Sequence, residues 1–441
     1  MNWMTWLLLL SLAIPLCPGH SQTTASQDSV IRHGTLHNCV EYALAHQPLV
    51  QQAHLDEEIT DRLIGIQLAD WFPQLNFSFD AQHYYKLPTV VFQGNPIASG
   101  SPNTSTGSFA LTQTVFNRDV LLASSTADEL RDQSRRRTAG TKIDVVVNVS
   151  KAFYATLLSQ EQIELFSGDI IRLQQSQKDS YNQYKSGVVD KTDYERATIA
   201  LNNVLVQRRQ AEELLKARFA SLKEQMGYPP SADLPIEYDS TAMESEARLD
   251  TTQTIRYENR VEYQVLELQR SLQESKLSYA RWGFLPSISA YGEYNLNYLN
   301  STLSQLYLHD YPSSLVGVQL TWPIFQGGKR IDEIQEAKFE LERSRYDIVS
   351  FENGASTEFV GAMGSYKSNL NNYQVAKDNL ALARAVYQTL QLQYRTGVKT
   401  YLDVITAETD LRTAELNETD ALYEVLSSKL DVQKALGTIQ Y

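Results

Sequence analysis

Imidazole and thiolate side chains gather near the amino terminus, at His33, His37, Cys39 and His46. Such donors hold zinc or copper when enough of them converge in a fixed frame. Here the spacings are irregular, and the one other cysteine, Cys17, lies in the leading apolar run, so no metal is expected. The sequence also has no glycine-rich phosphate loop, no paired-cysteine zinc spacing and no nucleophile beside a base. What remains is a large stock of Asn, Gln, Ser and Tyr, which line a surface and bind water rather than react. The expectation is no enzyme, no cofactor and no metal.

The bulk properties narrow the setting. An apolar run from about Trp6 to Leu16 is too short to stay in a bilayer, and small residues at Gly19 and Ser21 follow it. Residues 1–21 therefore read as a secretory signal peptide, although no Lys or Arg precedes the run. Lipidation at Cys17 is disfavoured by the bulk of Leu16 before it. A net charge of -13 and a pI near 5.1 argue against a nucleic-acid partner. No later window reaches the roughly 18 apolar residues of a membrane helix. A secreted chain with 25 Tyr and 14 Phe is then either soluble beyond the inner membrane or a β-barrel in an outer one.

The chain is written twice. QYKSGVVDKTDYERA (183–197) and QYRTGVKTYLDVITA (393–407) share Gln, Tyr, Gly, Val, Asp and Ala at a shift of 210, and Gly227 and Gly437 repeat that shift. The expected divisions are a first repeat over 22–227, an inter-repeat segment over 228–255 and a second repeat over 256–441. In each repeat, apolar and small residues step by three and four, as from Ala197 through Leu201, Val204 and Ala211, or from Ala407 through Leu411 to Val425. That spacing predicts close-packed coiled-coil helices. Each is preceded by a long proline-free helical stretch, about Val120 to Lys185 and about Lys329 to Arg395, roughly 100 Å in length. Gly187 and Gly397 stand where these helices end and turn back.

Between the helices lie four segments of period two, in pairs at about 74–116 and 287–323. Leu75, Phe77, Phe79 and Ala81 alternate with polar residues in the first, and Val316, Val318, Leu320 and Trp322 with Leu315, Gly317, Gln319 and Thr321 in the last. Alternation over about ten residues is the pattern of outer-membrane strands. Trp71, Phe116, Trp282, Trp322 and Phe325 sit where strand meets helix, as an interfacial aromatic girdle would. The connecting stretches 93–107 and 299–313 have the composition of solvated loops. Two hairpins cannot close a barrel, and open edges are not tolerated in lipid, so several copies must combine. A secreted, non-pore coiled-coil rod is the alternative, but it has no use for these strands.

With LHNCVEYALAHQPLV at 36–50, LTWPIFQGGKR at 320–330, QYRTGVKTYLDV at 393–404 and KALG at 434–437, the chain resembles the TolC-like outer membrane efflux proteins, the outer membrane factors. The resemblance implies a mixed α/β membrane protein in which a homotrimer builds a twelve-stranded β-barrel, four strands per protomer. That barrel continues into a long periplasmic α-helical coiled-coil barrel with an internal two-fold repeat. It also implies an exit duct for tripartite efflux or type I secretion in the outer membrane of a Gram-negative bacterium. The implied partners are a periplasmic membrane-fusion adaptor, an inner-membrane pump of RND, ABC or MFS type, and outer-membrane lipid. Carried over residue by residue, Tyr394 and Lys399 with Thr192 and Asp193 would latch the periplasmic gate. Asp403 would form a constricting ring, where Thr406 replaces the second aspartate of some members. Gly187, Val188, Gly397 and Val398 would be adaptor-contact tips.

Overall fold

The computed structural model describes residues 31–237 and 240–441; the segment read as a signal peptide, with Cys17, lies outside the described residues. Helix α1 (Leu36–His46) starts where the Thr35 side chain accepts the Asn38 N–H, and α2 (Pro48–Ala69) starts on a proline, whose missing N–H would be unpaired there in any case. Then come β1 (Gln74–His83), a small hairpin of β2 (Thr89–Phe92) and β3 (Asn95–Ala98), and β4 (Asn103–Phe116). Helix α3 (Arg118–Lys185) runs 68 residues, roughly 100 Å, and α4 (Lys191–Met226) returns along it. After a short α5 (Ser240–Glu246), the plan repeats as α6 (Val261–Trp282), β5 (Ser287–Asn300), β6 (Asp310–Thr321), α7 (Lys329–Arg395) and α8 (Tyr401–Leu436).

The wall has four columns. Helices α2 and α4 both pack on α3, and α6 and α8 both pack on α7 and on α3. The column partners meet end to end. The Gln47 amide donates to the Glu224 and Gln225 carbonyls, at 3.0 and 2.7 Å, tying the end of α4 to the start of α2. Gly227 and Gly437 close α4 and α8 in the left-handed conformation, at φ +66° and +68°. A Cβ on Gly227 would lie 2.9 Å from the His46 carbonyl, and one on Gly437 2.7 Å from the Asn259 carbonyl. Glycine is thus required twice at each joint, by backbone angle and by space. The apolar core sits at this level, around Val149, Phe153, Leu222, Met226, Val425 and Val432. Fully buried Tyr366 donates to the Ala247 carbonyl and accepts the Leu249 N–H, fixing the inter-repeat segment to α7. The periodic seam on α4 holds at Ala197, Leu201, Val204 and Ala211, all buried, and Met226 is buried at its end.

The sheet order is β1-β4-β5-β6, antiparallel throughout. Its register aligns all four apolar series. Leu75 faces Leu111, which faces Gly292, which faces Val316; Phe77, Phe109 and Tyr294 form the next rung. A bulge beside Val115 lets Phe116, not Val115, pair with Ile288 and brings the aromatic onto that face. The opposite face is polar, with the Thr106 hydroxyl donating to Asn297 Oδ1 at 3.0 Å. The apolar face is bare, Val316 being 90% exposed. Parts of the two stretches read as loops are strand instead, at Asn103–Gly107, Leu299–Asn300 and Asp310–Ser313; β2 and β3 lie just before and within the first.

Candidate functional site

The two hairpin tips are built alike. At the end of α3 the Gly187 N–H donates to the Tyr184 carbonyl and the Val188 N–H to the Gln183 carbonyl, at 3.0 and 2.9 Å; at the end of α7 Gly397 and Val398 do the same with Tyr394 and Gln393 at the same distances. This closure needs a residue at positive φ, here +74° and +76°. Space is not the constraint, because a Cβ on either glycine meets nothing within 4 Å. Val188 and Val398 project beyond the turns as exposed apolar knobs.

The starts of the returning helices differ. Asp190 caps α4, its carboxylate accepting the N–H and hydroxyl of Thr192 at 2.8 and 2.5 Å. Thr400 caps α8 through a reciprocal pair with Asp403: the Asp403 N–H donates to the Thr400 hydroxyl oxygen, and the Thr400 N–H donates back to the Asp403 carboxylate at 3.0 Å. The Thr400 hydroxyl, and a smaller attraction from Lys399, hold the Asp403 carboxyl below its usual range. Asp403 is therefore fixed in orientation and ionised. Thr406, one turn on, donates its hydroxyl to the Leu402 carbonyl and is exposed.

Of the four residues read as a latch, the structure brings Tyr394 and Asp193 within electrostatic reach of each other. The Tyr394 hydroxyl donates to Gln183 Oε1 at 2.7 Å, and its ring lies 5.7 Å from that of Tyr401. Burial, with Asp193 adding repulsion, raises the Tyr394 phenol above its ordinary range. Burial also raises the Asp193 carboxyl, against the pull of Arg196. Thr192 is taken up by the α4 cap, and among the described residues no ion pair joins Lys399 to Asp193. Gln183, in the first quoted repeat, is the acceptor that sequence reading missed.

Above the tips lies a charged cluster that the sequence did not point to. Asp169 and Arg172 on α3, Glu408, Arg412 and Glu415 on α8, and Arg384 on α7 converge there. Arg172 bonds Asp169 and lies 3.8 Å from Glu408 and 3.7 Å from Glu415; Arg412 lies 3.9 Å from Asp169. Asp169 and Glu408 are buried, and one oxygen of each has no hydrogen bond. Burial outweighs the arginines, pushing Asp169 up to about 6 and Glu408 up to about 7. The signal was the i, i+4, i+7 spacing of Glu408, Arg412 and Glu415, which puts them on one face of α8, but only the α3 register shows that this face is covered.

At the other end, Trp71 follows α2, Phe116 ends β4, Trp282 ends α6, and Trp322 and Phe325 lie between β6 and α7. The Trp322 indole donates to the Phe284 carbonyl at 3.0 Å. The amino-terminal histidines and cysteine diverge: Cys39 is buried in the core, His33 contacts Glu237 at the surface, and His46 stacks on Tyr42.

The family described as "Outer membrane efflux protein" matches residues 39–228 and 257–438, once per repeat. The outer membrane protein TolC of Vibrio cholerae is 22% identical over 337 residues, covering 74% of this chain and 75% of its own. The alkaline protease secretion protein AprF of Pseudomonas aeruginosa is 22% identical over 406 residues, covering 88% and 81%. The crystal structure of the outer membrane protein VceC from Vibrio cholerae superposes with a TM-score of 0.73 at 14% identity, covering 91% of this chain and 96% of that one. That likeness extends to the long helices and the four-stranded sheet.

Proposed function

The chain belongs to the outer membrane efflux protein family, and from that premise we propose that three copies close into one duct, gated at the helical tips. As a member it is an outer-membrane efflux channel of a Gram-negative bacterium, the exit of a tripartite efflux or type I secretion system, and it transports rather than catalyses. The observation that supports closure between copies is the sheet, with one face apolar and bare and with β1 and β6 as its edges; the number three follows from family membership. Strands alternate in direction from β1 to β6, so β6 of one copy meets β1 of the next antiparallel, and the alternation survives closure. Four strands and four helical columns per chain then give twelve of each. The apolar face turns to lipid, the Trp and Phe at the strand ends form its girdle, and the polar face turns to the lumen.

Tyr394, Lys399, Thr192 and Asp193 form the latch. Its tyrosine arm is supported within the chain by the bond to Gln183, and its lysine arm pairs Lys399 with Asp193 in the closed state. Exposed bonds of this kind contribute roughly 0.2–1 kcal/mol each, enough in threefold repetition to hold a closed state that a docked partner can still open. Asp403 forms the constriction ring, held rigid by Thr400, with Thr406 as its uncharged second tier. Gly187-Val188 and Gly397-Val398 meet the adaptor of an inner-membrane pump of RND, ABC or MFS type. The cargo is set by that pump; AprF, whose name refers to protease secretion, shares this fold family.

Conductance of the purified trimer in planar bilayers tests the reading. A small cation-preferring conductance that grows in Tyr394→Phe/Lys399→Ser supports duct and latch together, and an unchanged conductance in that variant refutes the latch. Asp403→Ala should lower cation preference, read as a reversal potential nearer zero in a salt gradient; an unmoved reversal potential rules out the ring.

A further inference from the structure

On the strand-proximal side of the wall, α2, α3, α6 and α7 lie side by side in that order, with α2 and α7 not packed on each other. Residues of all four nevertheless line one cavity of about 1010 Å³. Four helices in a row share a cavity only where the row is bowed, so it lies on the concave side. On the duct reading above, on which this inference rests, that side is the lumen just inside the barrel.

The cavity rim carries Asp70, Asp119, Glu333, Glu336 and Glu340. Two cations, Arg118 and Lys276, oppose these five. Arg118 is committed to the Tyr279 ring at 4.3 Å, and the Tyr279 hydroxyl donates to Asp119 at 2.5 Å. Glu333 and Glu340 reach Lys329 and Arg343 outside the cavity. Glu336 and Asp70 have no ion pair among the described residues. Val120, Ala123, Leu272 and Ala280 form an apolar part of the floor, beside Thr126 and the mutually bonded Gln133 and Gln269. Set into it, Gln273 is only 7% exposed, lines the cavity and makes no hydrogen bond among the described residues. Its amide atoms open onto the cavity without a protein partner, so they are free to bond a molecule seated there. A partly apolar floor, a carboxylate rim and the unbonded Gln273 amide complement an amphipathic organic cation, and the volume suits a drug-sized one.

We propose that this crevice is a lumenal binding site for amphipathic organic cations, seated over Gln273 within the field of the Glu336 and Asp70 carboxylates. Equilibrium dialysis of tetraphenylphosphonium against the detergent-solubilised full-length protein, blanked with detergent alone, tests it beside conductance of the same preparation. The wild type should bind saturably, Asp70→Asn/Glu336→Gln about tenfold more weakly, and the near-isosteric Gln273→Leu also more weakly, while tetraphenylborate, equal in shape and opposite in charge, is not retained. Equal phosphonium binding by wild type and the carboxamide variant, or equal retention of the borate, overturns the site and leaves a conducting duct intact. Phosphonium binding as expected by a trimer that never conducts overturns the duct and the lumenal placement.

Discussion

Glu408 and Asp169 show how far a single side chain can depart from its solution chemistry in a wall one helix thick. Free carboxyls of these types titrate at 4.5 and 3.8, whereas burial holds them near 7 and near 6. The folded protein therefore takes up protons as pH falls from about 7 that the unfolded chain takes up only near 4 to 4.5. Stability rises as pH falls through that window and is lost as pH climbs through about 7. For Glu408 the effect is on the order of 2 kcal/mol per chain. The unfolding temperature of the trimer should increase from about pH 8 to about pH 5.5, and Glu408→Gln should be higher at pH 8 with most of the slope gone. A slope identical in wild type and variant would show that other groups set it. Of the candidate site, the turn glycines Gly187 and Gly397 were legible at this scale because the repeat spells them twice, whereas the Thr400–Asp403 cap emerged only with the structure. The Asp169–Glu408 cluster was not legible, because it is assembled from three helices whose relative rotation no single stretch encodes.

At the scale of elements, the doubled motif, the two long helices and the four strands were all readable from periodicity and glycine placement. The column joints were not. Gly227 and Gly437 mark helix ends in the sequence, but what they abut, the start of α2 and the start of α6, is fixed by tertiary stacking. This yields a graded prediction. Gly397→Ala bears only the positive φ, costing about 1 kcal/mol, whereas Gly437→Ala bears φ and the Asn259 carbonyl at 2.7 Å, for about 2–3 kcal/mol. Thermal unfolding of the two variants side by side decides it, and Gly437→Ala proving no worse than Gly397→Ala would mean the joint is loose. The bulge at Val115 was equally hidden: strict alternation assigns Val115 to the apolar face, and only the pairing with β5 gives that place to Phe116.

At the scale of the whole molecule, the sheet assigns neighbouring residues to different solvents. Val318 pairs with Ala290 on the apolar face and Gln319 with Ser289 on the polar one. Val318→Arg should cost about 2–4 kcal/mol of membrane stability and deplete assembled trimer from outer-membrane extracts, while Gln319→Arg should assemble normally and alter conductance. Similar assembly of the two would place both faces in water. The joints carry a consequence of another kind. Of the four columns, only α3 and α7 run unbroken from the strand end to the tips; the other two are divided at Gly227 and Gly437. A torque applied at the tips is thus carried to the strands along two continuous shafts per chain, whereas in the divided columns it has to cross a joint held by a few backbone and amide contacts.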